Sequence, residues 1–196
     1  MFRIVPASTA LRQDKNRAVL AQEWVLLRST TMRFRIASPC DAVEVPEVSD
    51  LGAGVTLLEV LRGPLGLKSV VRGCKNGTCG SCRVLVDGKL VTSCTLLASA
   101  VPDLAHIETY EHLADESAAL TAVKHFTDER NSRCRLCVAG LGVTAAHLAR
   151  SGTAGDDEAI EAALEGAHCQ CTGRGSLRRA LAFIRHASPV SGRSGT

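Results

Sequence analysis

The first regular alternation of apolar and polar residues falls at Met32-Arg-Phe-Arg-Ile36, where every second side chain is apolar, and it predicts a half-buried strand. Val43-Glu-Val45 repeats the pattern. Between Val55 and Arg62 the period changes: Leu57, Leu58 and Leu61 stand three to four residues apart, on one face of a helix, and Pro64 and Gly66 are expected to end it. Arg83 to Val91 returns to period two and is interrupted by Asp87-Gly88, a pair suited to the two left-handed residues of a tight hairpin turn. Residues 31–109 therefore read as strand, helix and hairpin.

From residue 110 to 188 the period is helical. Asp115 is expected to cap a helix with apolar positions Leu120, Val123 and Phe126. Cys137 to Arg150 forms a second, with Leu141, Ala145 and Leu148 on one side, ending near Gly152. Asp156 or Asp157 caps a third carrying Ile160 and Leu164, and Ser176 caps a fourth with Leu177, Leu181 and Ile184, closed by Pro189. None is long enough to be stable alone, so a small bundle is expected. Residues 1–30 carry Arg3, Arg12, Lys15, Arg17 and Arg28 but no cysteine and no strand pattern. They are expected to be a loosely ordered extension or to lie upstream of the natural start, with Asp14 and Glu23 weighing against an Arg-bearing targeting segment. The Ser/Gly-rich residues 189–196 read as a flexible tail.

Composition narrows the chemistry. The 196 residues are 45% hydrophobic and 22% charged, ordinary for a globular chain, but only 3% aromatic, so few rings fill the core and a bound cofactor could supply part of its compactness. A net charge of +3, without a basic run interleaved with aromatics, sets nucleic acid aside. The apolar stretch Ala18 to Leu27 is broken by Gln22 and Glu23, so no membrane span is expected there. Nine cysteines without a secretory signal point to a reducing, cytoplasmic setting and to metal binding rather than disulfides.

Eight of those cysteines form two groups. Cys74, Cys79, Cys82 and Cys94 give C-x4-C-x2-C-x11-C, the loop spacing of plant-type [2Fe-2S] clusters. A cluster needs four thiolates and backbone N–H donors wrapped round its sulfides, and Gly73, Gly77 and Gly80 are expected to allow the tight, left-handed turns this takes. Zinc prefers pairs of ligands on short knuckles and fits less well. The second group, Cys134 and Cys137 with Cys169 and Cys171, leaves more open: by spacing alone the C-x2-C pair suits zinc or a cluster, and a redox dithiol is disfavoured because no βαβ pattern surrounds it. Cys169 and Cys171 are two apart, so both reach one metal centre only from a loop. Cys40 has no partner by spacing and reads as incidental, and His168 reads as a bystander to Cys169.

Both groups, in this order, resemble the small iron-sulfur subunit of molybdenum hydroxylases, the family of xanthine dehydrogenase, aldehyde oxidase and carbon monoxide dehydrogenase. The resemblance lies in Leu57-Leu-Glu-Val-Leu-Arg62, Gly73 to Cys82, Val84-Leu-Val-Asp-Gly-Lys89, Ser93-Cys94, Cys134-x2-Cys137 and Cys169-Gln-Cys-Thr-Gly173, and it spans about residues 32 to 188. It implies an α+β architecture, a β-grasp ferredoxin domain over 31–109 followed by a four-helix bundle over 110–188, each with its own [2Fe-2S] cluster. Cys74, Cys79, Cys82 and Cys94 would hold the outer cluster, and Cys134, Cys137, Cys169 and Cys171 the one nearer the molybdopterin. The chain would then be an electron-transfer component, not catalytic alone, with a large molybdopterin-binding subunit and an FAD-binding medium subunit as partners. A relay for a partner lacking molybdopterin and a zinc-stabilised interaction module are the alternatives. Arg133 and Arg135 stand where the family usually has Gln and Gly, Ala139 where it has Pro, Gln170 where Arg is common, and Arg174 where an aromatic is frequent. These departures leave the eight cysteines untouched and bear on the surface facing molybdopterin.

Overall fold

The alternating segment around Met32 is shared between two strands, β1 (Thr30–Met32) and β2 (Phe34–Ala37), which enter different sheets. The computed structural model describes residues 30–32, 34–37, 42–44, 48–51, 54–130 and 135–186. Within them β1 pairs antiparallel with β4 (Val48–Leu51). A five-stranded sheet has the order β3 (Ala42–Glu44), β2, β7 (Ala105–Glu108), β5 (Arg83–Val86), β6 (Lys89–Thr92). β2 and β7 are parallel, with Phe34 opposite Ala105 and Ile36 opposite Ile107. A parallel pair needs a long crossover, and here it contains a helix, the cysteine-rich loop and the β5–β6 hairpin.

The helix is α1 (Leu57–Arg62), opened by a capping box in which the Glu59 carboxylate accepts from the Thr56 N–H at 2.9 Å while Glu59 N–H donates to Thr56 Oγ1. Leu57, Leu58, Val60 and Leu61 are all buried, packed with Ile36, Val84, Val86 and Ile107 of the sheet. Its cap residue is Gly63, one position before the expected breaker Pro64. In the hairpin, Asp87 (φ 48°) and Gly88 (φ 75°) both adopt the left-handed conformation expected of the turn. β5 is buried along its whole length. Val84 and Val86 face the α1 side, while Leu85 packs with Leu113, Val143 and Ala146 on the opposite side.

Helices follow Thr109: α2 (Tyr110–Leu113), α3 (Ser117–Arg130), α4 (Val138–Arg150), α5 (Asp157–Ala163) and α6 (Gly173–Phe183). Their core holds Ala118, Ala122, Phe126, Leu141, Leu148, Ile160, Leu164, Leu177, Leu181 and Ile184. Three local expectations are corrected. The first α3 hydrogen bond runs from Leu120 N–H to the carbonyl of Glu116, so the helix starts beyond Asp115. Leu120 is 51% exposed, and α3 turns Ala118, Ala119 and Ala122 inward instead. Ser176 lies inside α6, not at its start, and its hydroxyl donates to the Thr172 carbonyl one turn back. Asp156 does cap α5, accepting from Glu158 N–H at 2.9 Å. The strand and helix regions are tied across α4, where Arg150 donates two hydrogen bonds to the buried Glu108 at 2.8 and 2.9 Å and a third to Glu116. Among the described residues, no helix is long and apolar enough to cross a membrane.

Candidate metal centres

The loop from α1 to β5 gathers Cys74, Cys79 and Cys82, and Cys94 joins them just beyond β6. Ser93 fixes that junction: its N–H and its hydroxyl both donate to the Cys82 carbonyl, at 3.2 and 2.6 Å. The four sulfurs form two contacting pairs, Cys74 with Cys79 and Cys82 with Cys94, and all are free. Burial raises the Cys74 thiol, but hydrogen bonding from Cys79 and from the backbone N–H groups of Asn76, Cys79 and Thr78 outweighs it and brings the group down to about 7. Burial pushes Cys79 up, and it pushes Cys94 up to about 12 with help from the bond to Cys82 and the charges of Cys82 and Cys74. Gly77 (φ 75°) and Gly80 (φ 71°) are left-handed as the loop requires. Gly73 is not, and its role is space: a Cβ there would lie 2.7 Å from Ser81 Oγ and 2.9 Å from Cys79 Sγ.

In the helical region Cys137 occupies the cap position of α4, and Cys169 and Cys171 lie on the loop leading into α6. Cys134, with Arg133 and Cys40, is outside the described residues. The Cys137 and Cys169 side chains are hydrogen-bonded. Burial, then the Cys169 charge and bond, push Cys137 up to about 12. Burial also acts against the Cys169 thiolate, yet the Thr172 hydroxyl and N–H, the Cys171 N–H and Cys137 hold its thiol below the ordinary range. Arg135, Leu136, Gln170 and Cys171 are exposed, so this end of the helical region faces outward.

The two groups approach each other across the junction. A Cβ on Gly140, one turn into α4, would lie 1.9 Å from the Gly80 carbonyl oxygen, and one on Gly142 would lie 2.3 Å from the Tyr110 ring. Only glycine permits either contact. His168 N–H donates to the Thr78 carbonyl at 2.8 Å, a bond joining the residue before Cys169 to the residue before Cys79. Arg83 crosses the same junction, donating to Thr144 Oγ1 at 3.0 Å and to the Glu165 carbonyl at 2.8 Å. Burial depresses its guanidinium to about 10, partly offset by the negative charges of Cys82 and Cys79.

The donor chemistry suits thiolate-bound iron. Arg83 is buried without a carboxylate partner among the described residues, and a buried cation is costly unless an anion compensates it. The buried hydroxyls Ser81 Oγ and Thr172 Oγ1 make no hydrogen bond to oxygen or nitrogen among the described residues and lie instead beside cysteine sulfurs. An anionic sulfur-rich cluster held by these cysteines would supply both the countercharge and the acceptors. The first group's two sulfur pairs, Cys74 with Cys79 and Cys82 with Cys94, suit a centre with two metals. Ser81, Arg83, Thr172 and the close approach at Gly140 had no signal in spacing or periodicity, because each depends on what the fold sets beside it.

Two family models match the chain: a 2Fe-2S iron-sulfur cluster binding domain over residues 46–114 and a [2Fe-2S] binding domain over residues 109–182. The nicotinate dehydrogenase small FeS subunit of Eubacterium barkeri is 34% identical over 127 residues, 65% of this chain and 80% of that one. The nicotine 6-hydroxylase small subunit of Paenarthrobacter nicotinovorans is 34% identical over 152 residues, 74% of this chain and 90% of that one. Among solved structures, a chain of quinoline 2-oxidoreductase from Pseudomonas putida 86 superposes with a TM-score of 0.60 at 27% identity, covering 80% of this chain and 96% of that one. The aldehyde oxidoreductase of Desulfovibrio desulfuricans ATCC 27774 gives the same TM-score and identity, over 79% of this chain but 17% of that much longer one.

Proposed function

Because the chain belongs to the family of small iron-sulfur subunits of molybdenum hydroxylases, we propose that it is the electron-relay subunit of a hydroxylating dehydrogenase in the cytoplasm. As such it is part of an oxidoreductase and performs no substrate chemistry itself. The relay runs from a molybdopterin centre on a large subunit towards a flavin on an FAD-binding subunit. Residues 31–109 form a β-grasp ferredoxin domain and residues 110–188 a four-helix [2Fe-2S] domain. Cys74, Cys79, Cys82 and Cys94 would hold the first cluster. Cys134, Cys137, Cys169 and Cys171 hold the second.

A [2Fe-2S] cluster supplies one-electron storage and transfer when bound. The chain supplies the surroundings. Backbone N–H groups of Asn76, Thr78 and Cys79 favour the thiolate of Cys74, as those of Cys171 and Thr172 favour that of Cys169. The Arg83 guanidinium balances negative charge at the junction, and Leu164, Ala167 and Leu177 line the cleft between Cys79 and Cys137 with apolar surface. The observation that carries the proposal is this meeting of two cysteine groups at one glycine-permitted contact, around an otherwise uncompensated cation.

A second reading, a relay for a redox partner lacking molybdopterin, draws on the exposed Arg135 and Gln170 at the outward end of the second group. Native purification with its partners tests both. About four irons with matching sulfide per chain, and molybdenum in the complex, are expected. Iron and sulfide in a complex without molybdenum would favour the second reading, and zinc without sulfide would contradict any relay.

A further inference from the structure

Thr144 lies on the buried face of α4, at 1% exposure, yet carries a hydroxyl. That hydroxyl donates its single proton to the Gly140 carbonyl one turn back, at 2.7 Å. With the proton so committed it presents only lone pairs outward, and Arg83 Nη1 donates to them at 3.0 Å. The other terminal nitrogen, Nη2, donates to the Glu165 carbonyl at 2.8 Å, and the position of a Gly80 Cβ is 3.3 Å from Arg83 Nε. Arg83 thereby stands between two spaces. One is a narrow gap of about 10 Å³, at the lower limit for a single water, lined by Cys79, Cys137, Gly140 and Thr144. The other is an open cleft of about 520 Å³ between the β5–β6 hairpin and the helices α4 and α5, lined by Leu90, His147, Ala159 and Glu165. Thr144 belongs to the wall of the gap, and Glu165 to that of the cleft.

We propose that Thr144 is a positioning residue for the electron relay: its hydroxyl holds the Arg83 guanidinium on the gap side, where the positive charge favours the reduced state of the first centre. The inference rests on the two-cluster function proposed above. A buried donor deprived of its acceptor is costly, so loss of the hydroxyl turns the guanidinium towards the cleft, where water takes the acceptor's place. A charge interaction is about fourfold weaker in water than at an effective dielectric of about 20, so the same cation stabilises the added electron less from the cleft. Thr144 thus acts on the potential only through Arg83.

The test is Thr144→Val in the native complex, with redox titration followed by EPR. This change keeps the branched shape and removes the hydroxyl. The midpoint potential of the first centre is expected to fall, by less than in Arg83→Met, which removes the charge itself. Thr144→Ser, which keeps the hydroxyl, is expected to restore the native potential. In an Arg83→Met background, Thr144→Val is expected to change the potential no further, since no guanidinium is left to hold. A native potential in Thr144→Val, an equal fall in Thr144→Ser, or an equal further fall in the Arg83→Met background overturns the proposal. Should the double variant fail to assemble, the contrast between Thr144→Val and Thr144→Ser decides alone. Should Thr144→Val fail, Thr144→Ala removes the same hydroxyl, and the same shift is required of it. A native complex that lacks two [2Fe-2S] signals would overturn the functional reading itself, an outcome separable from any behaviour of the variants.

Discussion

Gly140 and Arg83 show how much of this site depends on single residues. The Cβ of Gly140→Ala would stand 1.9 Å from the Gly80 carbonyl oxygen, and backbone on both sides leaves no flexible side chain to yield. Overpacking of this kind costs about 1–3 kcal/mol. Gly140→Ala is therefore expected to lower the melting temperature and to weaken the magnetic interaction between the reduced centres, as thermal denaturation and EPR would show. Arg83 acts through charge. Arg83→Met should lower the potential of the first centre, because it removes the positive charge beside Cys82 and Cys79, and redox titration would detect the shift. Arg83→Lys should recover part of it, since an ammonium restores the charge but cannot span Thr144 and the Glu165 carbonyl as the planar guanidinium does. An unchanged potential in Arg83→Met would remove Arg83 from the account.

At the level of elements, α2 is the piece that the hydrophobic pattern did not announce, being one turn long. Its Glu111 fastens the helix to the loop after α1: Ser69 N–H donates to one carboxylate oxygen at 2.7 Å, and the Ser69 hydroxyl donates to the other, as does Thr109 Oγ1 at 2.7 Å. Burial opposes the carboxylate, yet these bonds hold its pKa below the ordinary value. A depressed carboxylate contributes stability that is fully present above its unfolded value, about 4.3, and is lost as pH falls through the folded value. Glu111→Gln should thus cost less than about 1 kcal/mol at pH 7, given its exposure, and the difference from native should close in acid, as denaturation across pH would record.

The helix caps divide along similar lines. Asp156→Ala is expected to destabilise α5 by about 1 kcal/mol because its side chain accepts a backbone N–H. What made Asp156 readable was a local rule, a short acceptor before an apolar period. Ser176 offered the same local cue and is not a cap, since α6 continues a turn further back through Gly173 and the hydroxyl bonds within the helix. Leu120 misled for a related reason: helical period puts Leu120, Val123 and Phe126 near one another, but packing buries Phe126 together with Ala118 and Ala122 and leaves Leu120 exposed.

For the molecule as a whole, cysteine spacing made the first centre readable and left the second ambiguous until the family resemblance was considered. Covalent spacing could not reveal that the two groups meet. That depends on Gly80 against Gly140, on Thr78 against His168 and on Arg83 reaching α4, contacts between residues far apart in the chain. Reversible removal of iron by a chelator should lower the melting temperature, because Arg83, Ser81 and Thr172 would then stay buried without their acceptors or countercharge.

The most direct test of the two-centre account is low-temperature EPR of the reduced native complex beside its Cys137→Ser variant. The native complex should give two distinguishable [2Fe-2S] signals, and the variant should lose one while the ferredoxin-type signal survives. A single signal in the native complex, or loss of both in a folded, assembled variant, would contradict the account.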